Sequence, residues 1–353
     1  MPVLEAAFRS AWPMSFRRPG VFEARVHGPG AASETLAYPM PSTIAGALAS
    51  LAYEAGACSR AQRPGVYGDT EACLESLFGE KYHLYTGLAR HSGKLYVYTS
   101  RGYAPLDTVK KLLASVAPLS GRPRLLFEGL MEGLKAGSSL QARVLRRTGI
   151  ALNRSSKTAA PGMLYTIGML DPLQGTELVE FVALVEASKS PIEEGEKRFM
   201  TTLGGEQRPA QLVLRSSDTE PVGLLSACSG NNTLLLLLVS PALLDESPWA
   251  GVIELTKSAA KRLAESLVSA AGLESILEPR EPYIVQLTRE PVEAVMPGWS
   301  MAREVHRPPL LLVPAGTIVV ATTREDPCRA AKEAARRGLG AYTRLGWGTV
   351  VVA

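Results

Sequence analysis

Long apolar segments are absent from this sequence. The longest uninterrupted apolar run covers residues 234–239 in NNTLLLLLVSPALL, whereas a membrane-spanning helix needs about 20 apolar residues. The first residues, MPVLEAAFRSAWPMSFRR, contain no basic region followed by an apolar core, so they predict no secretory signal. We therefore expect a protein that has no membrane contact and that works in the cytoplasm.

Cysteine and histidine are scarce, with four residues of each kind. The cysteines, at positions 58, 73, 228 and 328, form no CxxC pair and have no paired histidines nearby. This spacing argues against a zinc site and gives no disulfide framework. The sequence therefore predicts no metal and no cofactor, and it favours a reducing compartment. Asparagine and glutamine are also rare, which is compatible with a heat-adapted source.

A recognisable catalytic set is missing as well. Among the histidines, His27 in ARVHGPGAAS is the strongest candidate for a general base or acid, yet the sequence offers it no partner. The segment GLARHSGKL is one residue too long for a Walker phosphate loop and has Leu95 where the loop needs a hydroxyl. The segment GWSMA lacks the second glycine of a nucleophile elbow. We therefore expect that the protein is not an enzyme.

Positive charge is concentrated in two separate segments of a chain whose formal net charge is +4. Between Glu132 and Asp171 there is no acidic residue. The basic residues of that interval are Lys135, Arg143, Arg146, Arg147, Arg154 and Lys157. Residues 329–353 contain five basic residues against Glu333 alone. Two such segments favour a polyanionic partner; the alternative is that each is a solvated surface.

The order of predicted elements repeats along the chain. A length of 353 residues predicts two domains. Each half has an opening strand, a helix, further strands and a glycine turn that leads into a last strand, as in LGGEQRPAQLVL and GLGAYTRLGWGTVVVA. We predict an α+β fold with two related units, residues 1–222 and 223–353. Their antiparallel sheets are expected to carry helices on one face and to leave the other face free for binding.

Several element boundaries follow from local chemistry. Ser42 or Thr43 is expected to cap the first helix, and Gly56 is expected to end it. The alternating pattern of residues 94–103 predicts one strand. Asp326 is expected to cap the last helix, because a proline follows it in the first helical position.

The two glycine turns are candidates for contact with phosphate. In the terminal segment a helix precedes the turn and a strand follows it, which is the reverse of the dinucleotide-binding order. Glycine has no Cβ, so such a turn can bring unblocked backbone amides close to a phosphate. Tyr342 would stack on an unpaired base and Arg344 would add charge, whereas Trp347 is expected to pack in the core. The alternative is that the glycines only permit a tight connection.

Six segments of the chain together match one family pattern, in order. They are YPMPSTIAGALAS (38–50), TGIALNRSSKTAAPGMLYT (148–166), LGGEQRPA (203–210), LLVSPALL (237–244), PGWSMAREVHRPPLLLVPAGTIVV (297–320) and the terminal glycine turn. With these segments the chain resembles the RAMP superfamily of CRISPR–Cas proteins, and within it the Cas5-like third subunits of type III-B Cmr effector complexes. The equivalent subunits of type III-A Csm complexes are similar and stay an alternative.

This resemblance implies a fold and a role. The fold would be two tandem ferredoxin-like domains of the RNA-recognition type, each ending in a glycine-rich loop. The role would be that of a non-catalytic subunit that grips the 5′ repeat-derived tag of a CRISPR RNA (crRNA). It would sit between the large polymerase-like subunit and the first Cas7-like backbone subunit, and it would meet target RNA only indirectly. A RAMP-type endoribonuclease that cuts CRISPR repeats with His27 is an alternative on the same fold. A further alternative is an assembly subunit whose basic surface meets acidic protein partners.

RNA contacts are expected from the basic segments, from the two glycine turns and from the start of the first helix. The expected RNA-binding residues are Arg17, Arg18, Ser42, Thr43, Arg143, Arg146, Arg147, Arg154, Lys157, Gly204, Gly205, Arg208, Gly338, Gly340, Tyr342, Arg344 and Gly346. Two positions depart from the family pattern. Ala49 stands where a basic residue is common, and Ser300 stands where an acid is common.

Overall fold

The computed structural model of the chain is mixed α+β and its sheets are antiparallel apart from one short parallel pair, as the sequence predicted. It describes residues 1–16, 32–58, 64–138, 140–152, 159–174, 177–193, 195–204, 208–228, 230–244, 256–287, 291–295, 299–300 and 304–353. Within these ranges, no helix is long and apolar enough to cross a membrane.

Helices and strands occur in both halves of the chain. The helices are α1 (Pro41–Glu54), α2 (Gly68–Phe78), α3 (Leu106–Val116), α4 (Pro123–Gly137), α5 (Pro221–Leu225), α6 (Lys257–Ala270) and α7 (Pro327–Arg337). The strands are β1 (Val3–Arg9), β2 (Ala32–Ser33), β3 (Tyr82–His91), β4 (Lys94–Thr99), β5 (Gly102–Pro105), β6 (Arg143–Leu152), β7 (Ala159–Asp171), β8 (Leu173–Gln174), β9 (Glu177–Leu178), β10 (Glu180–Ala187), β11 (Glu196–Thr202), β12 (Pro209–Ser216), β13 (Thr233–Leu238), β14 (Ala242–Leu243), β15 (Leu277–Val285), β16 (Glu293–Val295), β17 (Trp299–Ser300), β18 (Val305–His306), β19 (Leu310–Val313), β20 (Ile318–Thr323) and β21 (Val350–Val352).

The N-terminal half is built on a seven-stranded sheet with the order β11-β12-β1-β10-β3-β4-β5. All its neighbouring strands are antiparallel. Helices α1 and α2 lie on one face and share a hydrophobic core with it. In α1, the residues predicted for the buried face, Ile44, Leu48, Leu51 and Ala52, are all buried, because a period of 3.6 places them on one side of the helix.

The first helix begins differently from the prediction. Its N-cap is Met40, with Pro41 in the first turn and no side-chain capping bond, so the expectation that Ser42 or Thr43 caps the helix is wrong. Proline has the φ that a first helical turn requires, and the helix starts at Pro41, two residues earlier than a cap at Ser42 would place it. Gly56 adopts φ of +67° just after the helix, as expected of a left-handed stop.

The predicted strand over residues 94–103 is a hairpin of β4 and β5. The Thr99 hydroxyl donates to the Gly102 carbonyl at 2.8 Å and accepts from the Arg101 amide at 3.2 Å. Gly102 has φ of +115°, a conformation that glycine adopts without a steric penalty. The alternation of apolar residues continues on both sides of this turn, so the pattern hid it.

The C-terminal half contains a four-stranded antiparallel sheet with the order β15-β20-β13-β21. Helix α6 connects β13 to β15, and α7 connects β20 to β21. The predicted cap of α7 is confirmed, since the Asp326 carboxylate accepts from the Arg329 amide at 2.8 Å.

Both faces of this sheet are covered. Residues 234–238 of β13 are each at most 1% exposed, although consecutive residues of a strand point to opposite faces. Helices α6 and α7 supply part of the cover, while Leu113 of α3 and Leu130 of α4 belong to the same hydrophobic core as β13. In the other sheet, residues 181–185 of β10 are all buried too. The expectation that each unit leaves one sheet face free is therefore wrong, because the two halves pack on each other.

A buried polar joint links the two halves. The Gly346 carbonyl accepts hydrogen bonds from the hydroxyls of Thr86, Ser240 and Thr349 at 2.7, 2.7 and 3.1 Å. The Thr86 amide in turn donates to the Thr349 hydroxyl at 3.1 Å. Thr86 lies on β3 of the N-terminal sheet, and the other residues lie in the C-terminal half, so this network fixes the packing of one half on the other.

The four cysteines form two disulfides. Cys58 pairs with Cys73 and Cys228 pairs with Cys328, with Cα–Cα distances of 5.1 and 4.8 Å. The prediction of no disulfide framework is therefore wrong. Separations of 15 and 100 residues say nothing about distance in space, because α1 packs on α2 and α5 packs on α7.

Candidate nucleic-acid interface

The first basic segment contributes β6, the exposed edge strand of a β-hairpin. Strands β6 and β7 pair antiparallel, and β2 adds a short parallel strand. Arg146 and Arg147 are adjacent on β6, so they point to opposite faces, and both are exposed. Val144 is 48% exposed on the same strand. The edge strand β6 therefore carries exposed side chains on both of its faces here, whereas the facing residues 167–170 of β7 are buried.

The charges of this hairpin are largely uncompensated. Arg143 lies 3.7 Å from the carboxylate of Asp171, whereas Arg146 and Arg147 form no ion pair with any residue that the structure describes. Unpaired guanidinium groups on an exposed strand attract phosphate and can contact it through paired hydrogen bonds. Arg154 and Lys157, predicted for the same surface, lie outside the described residues.

The start of α1 is a second candidate surface. Ser42 and Thr43 are partly exposed in its first turn, which contains no acidic residue and has no side-chain cap. The amide end of a helix carries partial positive charge. Buried Tyr67 lies beside it: burial raises the pKa of Tyr67, and neighbouring Arg307 and Ser42 oppose that shift. The 3-10 turn Thr343–Leu345 contacts the same helix.

A buried ion pair between Arg307 and Asp69 lies against Tyr67, next to this surface. Arg307 is 8% exposed, and it donates to the Asp69 carboxylate at 2.8 Å and to the Thr70 hydroxyl at 3.1 Å. Its guanidinium also lies 5.1 Å from the centre of the Tyr67 ring. Burial raises the pKa of Asp69, but the hydrogen bonds from Ser300 and Arg307 outweigh burial and lower it. Asp69 therefore stays ionised and holds Arg307 against Tyr67.

The two departures from the family pattern have distinct surroundings. Ser300 is buried and its hydroxyl donates to the Asp69 carboxylate at 2.8 Å. An acid at position 300 would place a second carboxylate against Asp69, so serine suits this chain. Ala49 lies on the buried face of α1, and the basic residue common in the family has no counterpart at this position.

The C-terminal glycine turn is closed. Gly338, Gly340 and Gly346 are buried, and their amides donate to the carbonyls of Ala334, Leu267 and Thr343. A Cβ on Gly346 would clash with the Thr86 side chain. The expectation that these glycines offer open amides to a phosphate is wrong for this structure. They are needed because the turn has positive φ values and packs tightly.

The polar residues of this turn are held by the N-terminal half. Tyr342 is partly exposed and lies edge-on to Tyr67, with ring centres 5.2 Å apart. Arg344 donates to the Glu80 carbonyl at 2.7 Å and stacks on the Tyr82 ring at 4.3 Å. Trp347 is fully buried, which confirms its predicted place in the core. Of this segment, Tyr342 and Arg344 keep exposed surface for a ligand.

The first glycine turn has different neighbours. Gly204 has φ of +78°, and a Cβ there would lie 2.6 Å from the Ser15 carbonyl. The Arg208 carbonyl closes the turn by accepting from the Leu203 amide at 2.9 Å. Gly205 lies outside the described residues. This turn packs on residues 15–16, whereas the C-terminal turn packs on Thr86, so a common basic path through both stays a prediction.

Three further predicted residues also lie outside the described ranges: Arg17, Arg18 and His27. Among the residues that are described, no group of three histidine, cysteine or carboxylate side chains is placed to hold a metal ion.

Sequence reasoning missed Tyr67, Asp69 and Arg307. Arg307 stands just before two prolines and a buried strand, where a buried arginine requires an acidic partner. The partner, Asp69, is far away along the chain, so no spacing rule could pair the two. The only sequence signal was a single charge beside an apolar strand.

These features describe an α+β protein with two packed sheets, a basic hairpin and an uncapped helix start at the junction of its halves. The model of the CRISPR-associated protein family Cas_Cmr3 matches residues 81–353. The chain therefore belongs to the Cas_Cmr3 family, in the type III-B Cmr group, and the resemblance drawn from the six segments is confirmed.

Solved structures give the same fold. The chain is similar to a chain in a cryo-EM structure of the type III-B Cmr-beta bound to cognate target RNA, with a TM-score of 0.56 and 18% identity, covering 90% of this chain and 86% of that one. A second structure, of Cmr-beta bound to cognate target RNA and AMPPnP in state 1, gives a TM-score of 0.55, 18% identity and the same coverage. No curated protein matches the sequence.

Proposed function

We propose that this chain is a non-catalytic subunit of a type III-B Cmr effector complex that acts in antiviral defence in the cytoplasm. It binds the 5′ repeat-derived tag of a crRNA, bridges the large polymerase-like subunit to the Cas7-like backbone, and meets target RNA indirectly. Its two domains, 1–222 and 223–353, are tandem ferredoxin-like units.

Strand connectivity supports the tandem arrangement. Apart from the short strands β14 and β16–β19, the C-terminal half runs β13-α6-β15-β20-α7-β21, with the spatial order β21-β13-β20-β15. This order matches the ferredoxin-like β-α-β-β-α-β pattern. In the N-terminal half, β12-β1-β10-β3 repeats those neighbour relations, with α1 and α2 between β1 and β3. In chain order, β11 lies between β10 and β12, where the ferredoxin-like pattern has its second helix.

The observation that carries the RNA-binding proposal is the exposed pair Arg146 and Arg147. Both side chains lie on a strand with solvent on either face, and neither is neutralised by a described acid. A single strand of RNA follows such a surface through its phosphates. Ser42 and Thr43 would add hydroxyl donors at the positive end of α1, and Tyr342 would offer a ring face to an unpaired base.

The test measures binding of a fluorescently labelled RNA that carries the tag, as a function of salt. We expect Arg146→Ala with Arg147→Ala to weaken binding at least tenfold at moderate salt. The slope of log affinity against log salt should fall by about 1.4, because each lost phosphate contact on a single strand accounts for about 0.7.

A matched control removes the same charge elsewhere. Arg324 and Arg329 are exposed, and they are paired with Glu278 and Glu325 at 2.8 and 3.8 Å. Changing both to alanine should leave affinity and slope within error of the unaltered protein. If the two double variants weaken RNA equally, net charge rather than the hairpin governs binding; if neither does, the hairpin is not the RNA surface.

A further inference from the structure

The two disulfides differ in their exposure. Cys73 is buried and Cys58 is only partly exposed, in the contact between α1 and α2. Cys228 is exposed and Cys328 is partly exposed, at the start of α7. Thiol–disulfide exchange requires an attacking thiolate to reach a sulfur atom, so accessible bonds react first. The two bonds should therefore respond differently to a reductant.

The exposed disulfide fastens the segment that joins the two halves. Cys228 follows α5, and the preceding Ala227 amide donates to the Val352 carbonyl at 2.8 Å. Cys328 lies in the first turn of α7, and that helix runs directly into the turn that carries Tyr342 and Gly346. The bond therefore ties the connecting segment to the helix that positions the buried joint.

We propose that Cys228–Cys328 is a redox-labile clamp and that Cys58–Cys73 is a persistent structural bond. Opening the clamp loosens α7 and the turn after it, and thereby weakens the surface formed by Tyr342 and the start of α1. The effect on RNA rests on the proposed function, whereas the order in which the two bonds open does not.

The chemistry is an exchange with a dithiol oxidoreductase. A thiolate of the reduced oxidoreductase attacks one sulfur of Cys228–Cys328, forms a mixed disulfide and releases the other cysteine as a thiol. The second thiolate of the oxidoreductase then displaces the remaining cysteine. The oxidoreductase leaves with the disulfide, and the two protons and two electrons pass to Cys228 and Cys328. Re-formation runs the same steps backwards with the oxidised enzyme.

The amino-acid composition of the chain fits a cell whose intracellular proteins keep disulfide bonds. Disulfides are rare in most cytosolic proteins but common in intracellular proteins of hyperthermophiles. The low asparagine and glutamine content fits that setting.

Graded reduction tests the order in which the two disulfides open. Purified protein is exposed for one fixed, short time to increasing concentrations of dithiothreitol, so that the rate of opening is compared. It is then quenched with an alkylating mass tag and mapped by peptide mass spectrometry. We expect no tagged cysteine in the unreduced, denatured protein, and tagging of Cys228 and Cys328 at a lower reductant concentration than Cys58 and Cys73. Free thiols before reduction, the opposite order or simultaneous opening would each overturn the proposal.

Paired variants measure the consequence. Cys228→Ala with Cys328→Ala should lower Tm by about 6 °C, and Cys58→Ala with Cys73→Ala by about 4 °C, because the longer closed loop restricts the unfolded chain more. Near the working temperature, the first variant should bind tag RNA more weakly than the unaltered protein. An unchanged Tm and affinity would overturn the clamp. If the unaltered oxidised protein binds no RNA, the proposed function fails while the reduction order still decides the clamp.

Discussion

The β6–β7 hairpin and the C-terminal glycine turn have similar compositions and opposite environments. Both contain arginine, glycine and β-branched residues. In the hairpin, Arg146 and Arg147 are exposed and have no described acidic partner. In the turn, the glycine amides are bonded within the chain and Arg344 is held by the Glu80 carbonyl and the Tyr82 ring. Basic, glycine-containing sequence therefore forms an exposed strand without acidic partners in one place, which we propose binds RNA, and a packed joint in the other.

The largest expected effect concerns the packed turn. Gly346→Ala should destabilise the protein by about 4 kcal/mol, because a Cβ there meets the Thr86 side chain at a positive φ, which adds overpacking to backbone strain. Chemical denaturation measures the change. Gly56→Ala is the control: Gly56 also has a positive φ but nothing within 4 Å of a Cβ, so it should cost only about 1 kcal/mol. Equal losses would show that packing at the joint contributes little.

The next effect is a pH dependence of stability that comes from His83, which lies on β3 near Arg344 of the packed turn. Burial and the nearby Arg344 charge lower the pKa of His83 from 6.5 to about 4. The unfolded chain therefore binds more protons between these values, and stability falls as the pH drops from 6.5 to 4, by up to about 3 kcal/mol. His83→Gln should remove this part of the pH profile. If the two proteins lose stability in parallel over that window, His83 is not the group responsible.

A smaller effect is expected from one hydroxyl of the joint. Thr86→Val keeps the shape of the side chain but removes its bond to the Gly346 carbonyl, and it should cost about 1 kcal/mol. Thr202→Val, on an exposed strand position, should change the free energy of unfolding by less than about 0.5 kcal/mol. A loss at Thr86 as small as that at Thr202 would mean that the remaining hydroxyls of Ser240 and Thr349 suffice.

We expect no endoribonuclease activity from this protein, which is the alternative function that depends on His27. Labelled repeat RNA incubated with the protein in a chelator should give no specific product, and His27→Ala should leave the pattern unchanged. A specific cut that disappears in His27→Ala would favour an endoribonuclease over the proposed tag-binding subunit.

Much of the fold could be predicted from local pattern. Helix α3 has a clear amphipathic periodicity, β10 is a short apolar run between two glutamates, and Asp326 with Pro327 marks the start of α7. The predictions from sequence failed where contacts between distant parts of the chain determine the structure. The leucines of β13 showed that the strand is buried, but they could not show that the N-terminal half supplies part of the cover. The disulfides and the Arg307–Asp69 pair join residues whose spacing follows no local rule.

The candidate site was predictable only in part. The hairpin pair Arg146 and Arg147 stood out because no acid occurs over the surrounding interval. The glycines of the terminal turn did not reveal their role, since a binding turn and a packed turn need the same freedom of φ. Tyr67 carried no signal, because its importance depends on Arg307, Tyr342 and the start of α1 meeting in space.

The most direct measurement compares two adjacent arginine pairs, one from each basic segment. The salt dependence of tag-RNA binding is recorded for Arg146→Ala with Arg147→Ala and for Arg336→Ala with Arg337→Ala, whose arginines are paired with Glu333. We predict a flatter salt slope and at least tenfold weaker binding for the hairpin pair, and no change for the α7 pair. Weaker binding from the α7 pair alone would contradict the hairpin as the RNA surface.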